Sequence, residues 1–128
     1  MFALLDTHAL LWWFADDPAL TKRARAVISD TRNTILVSAA SAWEIAIKVR
    51  IGKLASAVEL LDNFDGQLQQ ETFEKLSIST SHAIRAGLLA GIHKDPFDRV
   101  LIAQAQEENV PLISCEAALD GYGVRRIW

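Results

Sequence analysis

The sequence predicts an α/β sandwich built on a parallel sheet of four or five strands. Three observations carry that prediction. Phe2-Ala3-Leu4-Leu5 and Thr34-Ile35-Leu36-Val37 are short continuous apolar runs without alternation, the pattern of strands buried on both faces of a parallel sheet. Segments with helical periodicity lie between these runs and two later strand candidates. The first run ends in Asp6, and in open α/β sheets the C-terminal tips of the strands surround the crevice where ligands bind.

The chain then reads in order. Thr7 can cap a short helix over Ala9 to Phe14, which Asp16-Asp17-Pro18 ends. A second helix spans about Thr21 to Ser29, with Lys22, Arg23 and Arg25 on its outer side as a solvated face, an RNA-facing patch being the alternative. After the Thr34–Val37 strand, Ser38 or Ser41 opens a helix from Ala39 to Ile51 that is apolar on almost every side. Ser41, Glu44 and Lys48 form its narrow polar stripe at about 100° per residue. Such a helix is expected to be buried nearly all round, with Glu44 pointing to water or into a site; an ordinary Glu44–Lys48 pair at i, i+4 is the plain alternative.

Gly52 stops that helix, and Ala57, Leu60, Leu61 and Phe64 mark another amphipathic one. Gly66 to Thr72 is polar and reads as a loop, and Lys75 to Ser79 as a third strand. Thr80 or Ser81 caps a helix running to about Leu89, ended by Gly91. In His93-Lys94-Asp95-Pro96-Phe97-Asp98-Arg99, Asp95 suits an N-cap, Pro96 the first helical position and Asp98 the first turn, so a helix start alone would account for both aspartates. That helix ends near Asn109. Pro111 to Ser114 is the fourth strand, closely followed by Glu116, and Val124 to Trp128 adds an edge strand after the turns at Gly121 and Gly123.

Composition narrows the function classes. The 128 residues, 51% of them hydrophobic, suffice for one domain spanning 1–128 with its own core, and the single cysteine, Cys115, forms no internal disulfide and suits a reducing cytoplasm. No signal peptide or membrane span is expected: the apolar run Ala9 to Ala15 is far too short to cross a bilayer. The net charge of −3 provides no general electrostatic grip on nucleic acid, so a phosphate-bearing partner needs a local basic patch or a bound cation.

Four acids from distant parts of the chain can meet at one end of such a sheet: Asp6 after strand one, Glu44 on the apolar helix, Asp98 at a helix start and Glu116 after strand four. Bringing two like charges to about 4 Å costs on the order of 4 kcal/mol at an effective dielectric near 20, so the cluster calls for a counter-cation. Hard carboxylate oxygens select Mg²⁺ or Mn²⁺, and such a site can activate water for attack on phosphorus.

Leu4-Leu5-Asp6-Thr7-His8, Ser41-Ala42-Trp43-Glu44-Ile45, Asp95-Pro96-Phe97-Asp98-Arg99 with Leu101-Ile102-Ala103, and Tyr122-Gly123-Val124 together resemble the PIN-domain family, and within it the VapC-type ribonuclease toxins of toxin–antitoxin modules. The resemblance runs along essentially the whole chain, as a single PIN domain with a three-layer α/β/α sandwich. It implies a Mg²⁺- or Mn²⁺-dependent endoribonuclease that leaves 5′-phosphate and 3′-hydroxyl ends on tRNA or another structured RNA. It also implies a homodimer restrained by a small antitoxin protein. Asp6, Glu44 and Asp98 match the family's metal-binding acids. The fourth position is commonly Asp two residues after a Thr or Ser; here Ser114-Cys115-Glu116 presents Glu116, which would orient water or a second ion.

The remaining singled-out residues take plainer roles. His8 is expected to pack in the first helix, Cys115 to fill space, and Asp95 to cap rather than ligate. Arg99 could meet phosphate or the acids. Trp12, Trp13, Trp43 and Trp128 read as core or dimer surface rather than base-stacking platforms. Apolar faces on the first helices and on Ala57 to Phe64 are the expected docking places for a partner peptide and a second copy. A dinucleotide-binding domain would need a glycine-rich turn where Asp6-Thr7-His8-Ala9 stands, and a receiver domain or an elbow-type hydrolase would need residues the chain lacks. The alternative from another class is a PIN-like module that binds RNA or protein without cutting.

Overall fold

The computed structural model describes residues 1–91, 93 and 95–128; Ile92, and Lys94 of the His93–Arg99 stretch, lie outside the described residues. Among the described residues, five strands form one sheet: β1 (Phe2–Leu5), β2 (Thr34–Ser38), β3 (Glu74–Leu76), β4 (Leu112–Ile113) and β5 (Arg126–Ile127). Their order is β3-β2-β1-β4-β5 and every neighbouring pair is parallel. β1 is central, with Leu4 opposite both Leu36 of β2 and Leu112 of β4. The continuous apolar runs follow from that position, because a parallel strand with helices on both faces has no wet side.

Side chains alternate between two cores. Ala3, Leu5, Ile35, Val37 and Ile113 face one, under α1 (Thr7–Phe14) and α2 (Lys22–Ser29). Leu4, Leu36 and Leu112 face the other, where Leu101, Ile102 and Ala105 of α7 (Pro96–Glu108) cover them. α3 (Ala39–Arg50) serves both, with Ile45 in the first core and Ala40 in the second. The result is the expected three-layer α/β/α sandwich. Among the described residues, no helix is long and apolar enough to cross a membrane.

Local structure departs from the sequence reading at four places. Asp6, not Thr7, caps α1: Ala9 N–H donates to Asp6 Oδ1 at 2.7 Å, so the carboxylate at the strand tip also closes the helix end. Gly66 to Thr72 is mostly helical, within α5 (Phe64–Gln70), because buried Leu68 anchors it to the first core and Gln67 N–H donates to the Asn63 carbonyl. The stretch before it is a 3₁₀ turn (Ala55–Ala57) followed by α4 (Val58–Asp62), rather than one helix to Phe64. β3 lies one residue earlier and ends sooner than Lys75 to Ser79, since Ser79 becomes the cap of α6 (Thr80–Leu88), accepting from His82 N–H.

α3 departs from the expected all-round burial, while Glu44 takes the inward of its two expected directions. The polar stripe faces inward, with Ser41 and Glu44 buried, whereas Trp43 and Ala46 are exposed. Periodicity locates a stripe but not the direction in which it points. Thr7, buried at the start of α1, donates its hydroxyl to Ser41 Oγ at 3.0 Å, which gives the inward stripe a polar partner.

Candidate active site

The strand order reverses direction between β1 and β4, and at such a switch point the loops leaving adjacent strand tips part and leave a crevice. Asp6 leaves β1 there, and Ser114, Cys115 and Glu116 leave β4. α3 starts at the same edge because it follows β2, and α7 starts there because it runs back across the sheet before β4.

Asp6 is 4% exposed, and burial raises its carboxyl to about 6 against opposing hydrogen bonds from Ser114 and the Ala9 amide; the charge of Asp98 adds to the rise. Glu44, 5% exposed, is held by Lys48, whose Nζ lies 2.7 Å from Glu44 Oε2. Asp98 is half-buried, and burial raises its carboxyl too, with the His93 hydrogen bond opposing the rise and the charges of Asp95 and Glu44 adding to it. His93 Nε2 stands 2.8 Å from Asp98 Oδ2. The charge of Asp98 is thus felt at Asp6 and that of Glu44 at Asp98, each as the smallest contribution there.

Glu116 differs from those three in exposure. It is exposed, its backbone N–H donates to Ser114 Oγ at 3.0 Å, and it starts the 3₁₀ turn Ala117–Tyr122. Cys115 is also exposed rather than space-filling, and partial desolvation of its sulfur, with the charges of Asp6 and Glu116, pushes its thiol up. Asp95 is the expected cap, accepting from Phe97 N–H and Asp98 N–H. His8 is exposed and stacks on Trp12, with ring centroids 5.5 Å apart.

Two site neighbours escaped the sequence reading. Ser114 is fully buried, accepts from Glu116 N–H and lowers the Asp6 carboxyl, and its signal is the serine two residues before Glu116. His93 depends on tertiary contacts: its N–H donates to Tyr122 Oη at 3.1 Å and its carbonyl accepts from Arg99 Nη1 at 3.0 Å. Arg99 also donates to the carbonyls of Ala86 and Leu89, so it braces the end of α6 rather than meeting a carboxylate.

The donors suit a hard divalent cation by chemistry, since two buried carboxylates and a half-buried one supply oxygen ligands. Each is occupied by an internal partner, and among the described residues no three Asp, Glu, His or Cys side chains are grouped closely enough to hold a metal as they stand.

The model of the PIN domain matches residues 3–124. The chain belongs to the PIN domain family. This PIN domain shares 70% identity over 30 residues with "Ribonuclease VapC16" of Mycobacterium tuberculosis, a match covering 23% of this chain and 21% of that protein. The matched stretch is therefore about a fifth of the relative's length. In fold it is similar to VapBC2 from Rickettsia felis bound to a promoter DNA fragment, with TM-score 0.73 and 17% identity over 98% of this chain and 97% of that one. VapBC-1 from nontypeable Haemophilus influenzae gives TM-score 0.68 and 16% identity, with 98% and 96% covered. FitAcB from Neisseria gonorrhoeae gives 0.64 and 16%, with 97% and 95% covered.

Proposed function

We propose that residues 1–128 act as one PIN-domain endoribonuclease that depends on Mg²⁺ or Mn²⁺ and serves as the toxin of a toxin–antitoxin pair. The observation that carries this reading is the arrival of Asp6, Glu44 and Asp98, from β1, α3 and α7, at the switch-point end of a PIN fold. The VapC and VapBC names of similar proteins support the toxin assignment.

Asp6, Glu44 and Asp98 would hold the cation. When bound, Mg²⁺ or Mn²⁺ supplies Lewis-acid activation of water and offsets charge building on the phosphoryl oxygens. The chain's own part is to keep three carboxylates in place and ionised. The Ala9 amide orients Asp6, Lys48 steadies Glu44, and His93 steadies Asp98. Glu116, on the open side, would orient water or a second ion.

The proposed partners are an RNA, tRNA or another structured species, and a cognate antitoxin, with the toxin a homodimer in the cytoplasm. A cavity of about 420 Å³ lined by Leu11, Trp12, Phe14, Leu54, Ala57 and Leu60 lies between α1 and the α4 region, where an apolar antitoxin segment would fit.

The test is cleavage of a mixed structured RNA pool by antitoxin-free protein, in Mg²⁺ or Mn²⁺, with chelator and Asp6→Asn controls. Discrete fragments ending in 5′-phosphate and 3′-hydroxyl, lost in both controls, are expected; 2′,3′-cyclic phosphate ends would refute the metal mechanism. A catalytically inactive RNA- or protein-binding module is the second reading, favoured by the exposure of Glu116 and the unclosed acid cluster. Tight RNA binding without cleavage in either metal would establish it.

A further inference from the structure

Trp43 is 58% exposed although it sits between buried Ser41 and Glu44 on α3. It is not a loose surface residue. Phe97, at the start of α7, packs against it edge-to-face, with ring centroids 5.0 Å apart and planes at 80°. The two rings come from different elements, and each belongs to the residue immediately before an acid of the candidate site, Glu44 or Asp98. The other tryptophans are half-buried and engaged elsewhere: Trp12 lies against Trp128, and Trp13 donates its indole N–H to Glu71.

Resting on the ribonuclease reading, we propose that Trp43, braced by Phe97, is a stacking platform for an unpaired nucleobase beside the scissile phosphate. Two physical arguments favour a base as the occupant. The rim is acidic and the chain carries −3 overall, so phosphate attraction contributes little grip, whereas stacking on an aromatic face needs no charge and accepts any base. Phe97 fixes the indole plane beforehand, so little side-chain freedom remains to be lost when a base arrives. A base can stack only when it is not paired within a duplex, so the platform selects single-stranded or looped RNA at this position.

Binding is measured by fluorescence anisotropy in chelator, where no metal-dependent cleavage can occur. The probes are a labelled 12-nucleotide oligoadenylate and an abasic ribose-phosphate oligomer of the same length. The native protein is expected to prefer the oligoadenylate. Trp43→Ala should weaken oligoadenylate binding about five- to a hundredfold while leaving the abasic oligomer unchanged. Trp43→Phe should recover most of the loss, and Phe97→Leu should lose part of it with α3 intact. Native binding without base preference, or Trp43→Ala binding oligoadenylate as the native protein does, would overturn the proposal. So would sedimentation of the native protein as a dimer and of Trp43→Ala as a monomer, because the surface would then belong to a second copy. Base-dependent binding by a protein that cleaves no RNA in Mg²⁺ or Mn²⁺ would remove the ribonuclease reading and leave the platform standing.

Discussion

Lys48 Nζ stands 2.7 Å from Glu44 Oε2 on the inward stripe of α3, with the glutamate side chain 7% exposed and the lysine 34%. On a fully wet helix such an i, i+4 pair is worth a few tenths of a kcal/mol. Here the ammonium offsets a carboxylate that has lost its water, so Lys48→Met is expected to cost about 1–3 kcal/mol in urea denaturation at pH 7. Millimolar Mg²⁺ should then raise the melting temperature of Lys48→Met more than that of the native protein, because a cation takes over the lost offset. Equal responses would mean that Glu44 does not ligate the metal.

Asp6 predicts a pH dependence whose sign is opposite to that of a salt-bridged aspartate. Burial raises its carboxyl from 3.8 to about 6. Below pH 3.8 the folded and unfolded chains both keep the proton and the group makes no difference. Between 3.8 and about 6 only the folded chain keeps it, so stability falls as pH rises through that window. Above it the folded state carries a buried charge. Asp6→Asn, which preserves the capping acceptor, should therefore be more stable than the native protein at pH 7.5 by on the order of 1–3 kcal/mol and no more stable at pH 3.5. The same variant should lose cleavage at every pH. Melting curves at the two pH values and an RNA-cleavage profile check both halves.

Arg99 predicts a defect with no change of charge. Its guanidinium donates to the carbonyls of Ala86, Leu89 and His93, fastening the end of α6 and His93 to the first turn of α7. A lysine ammonium lacks the planar fork, and cannot reproduce three divergent bonds from one fixed position. Arg99→Lys is expected to cost about 1–3 kcal/mol by chemical denaturation and to lower RNA cleavage at least tenfold at saturating metal, since Asp98 loses a steady partner.

The fold and the acids were legible because each leaves a local signature. Continuous apolar runs marked β1 and β2, and acids at strand tips and a helix start were bound to share one end of a parallel sheet. What escaped reading depends on contacts distant in sequence. Gln67 to Gln70 carries a weak apolar pattern, and only the burial of Leu68 against the core makes that stretch helical. Thr7 and Asp6 are both competent caps, and the choice fell to Asp6 because its side chain reaches the Ala9 amide. The inward turn of α3 needed Thr7 opposite Ser41, and the His93–Asp98 contact needed Arg99 and Tyr122.

Tyr122 gives the last prediction, because one hydroxyl connects a glycine to the site. Gly91 adopts φ +104°, and a Cβ there would lie 2.7 Å from Tyr122 Oη. The same oxygen accepts the His93 N–H at 3.1 Å, and His93 in turn faces Asp98. Gly91→Ala therefore combines backbone strain with displacement of the phenol, at an expected cost of about 2–4 kcal/mol. Tyr122→Phe removes a hydrogen-bond acceptor and should cost about 1 kcal/mol. Since the phenylalanine variant has no hydroxyl to collide with the new Cβ, the double variant should be more stable than the sum of the single effects by about 0.5–2 kcal/mol. Additive effects in a denaturation cycle would show that the hydroxyl does not couple Gly91 to His93. In cleavage assays Tyr122→Phe should act on kcat with little change in KM, because the hydroxyl holds His93 beside Asp98, a proposed metal ligand.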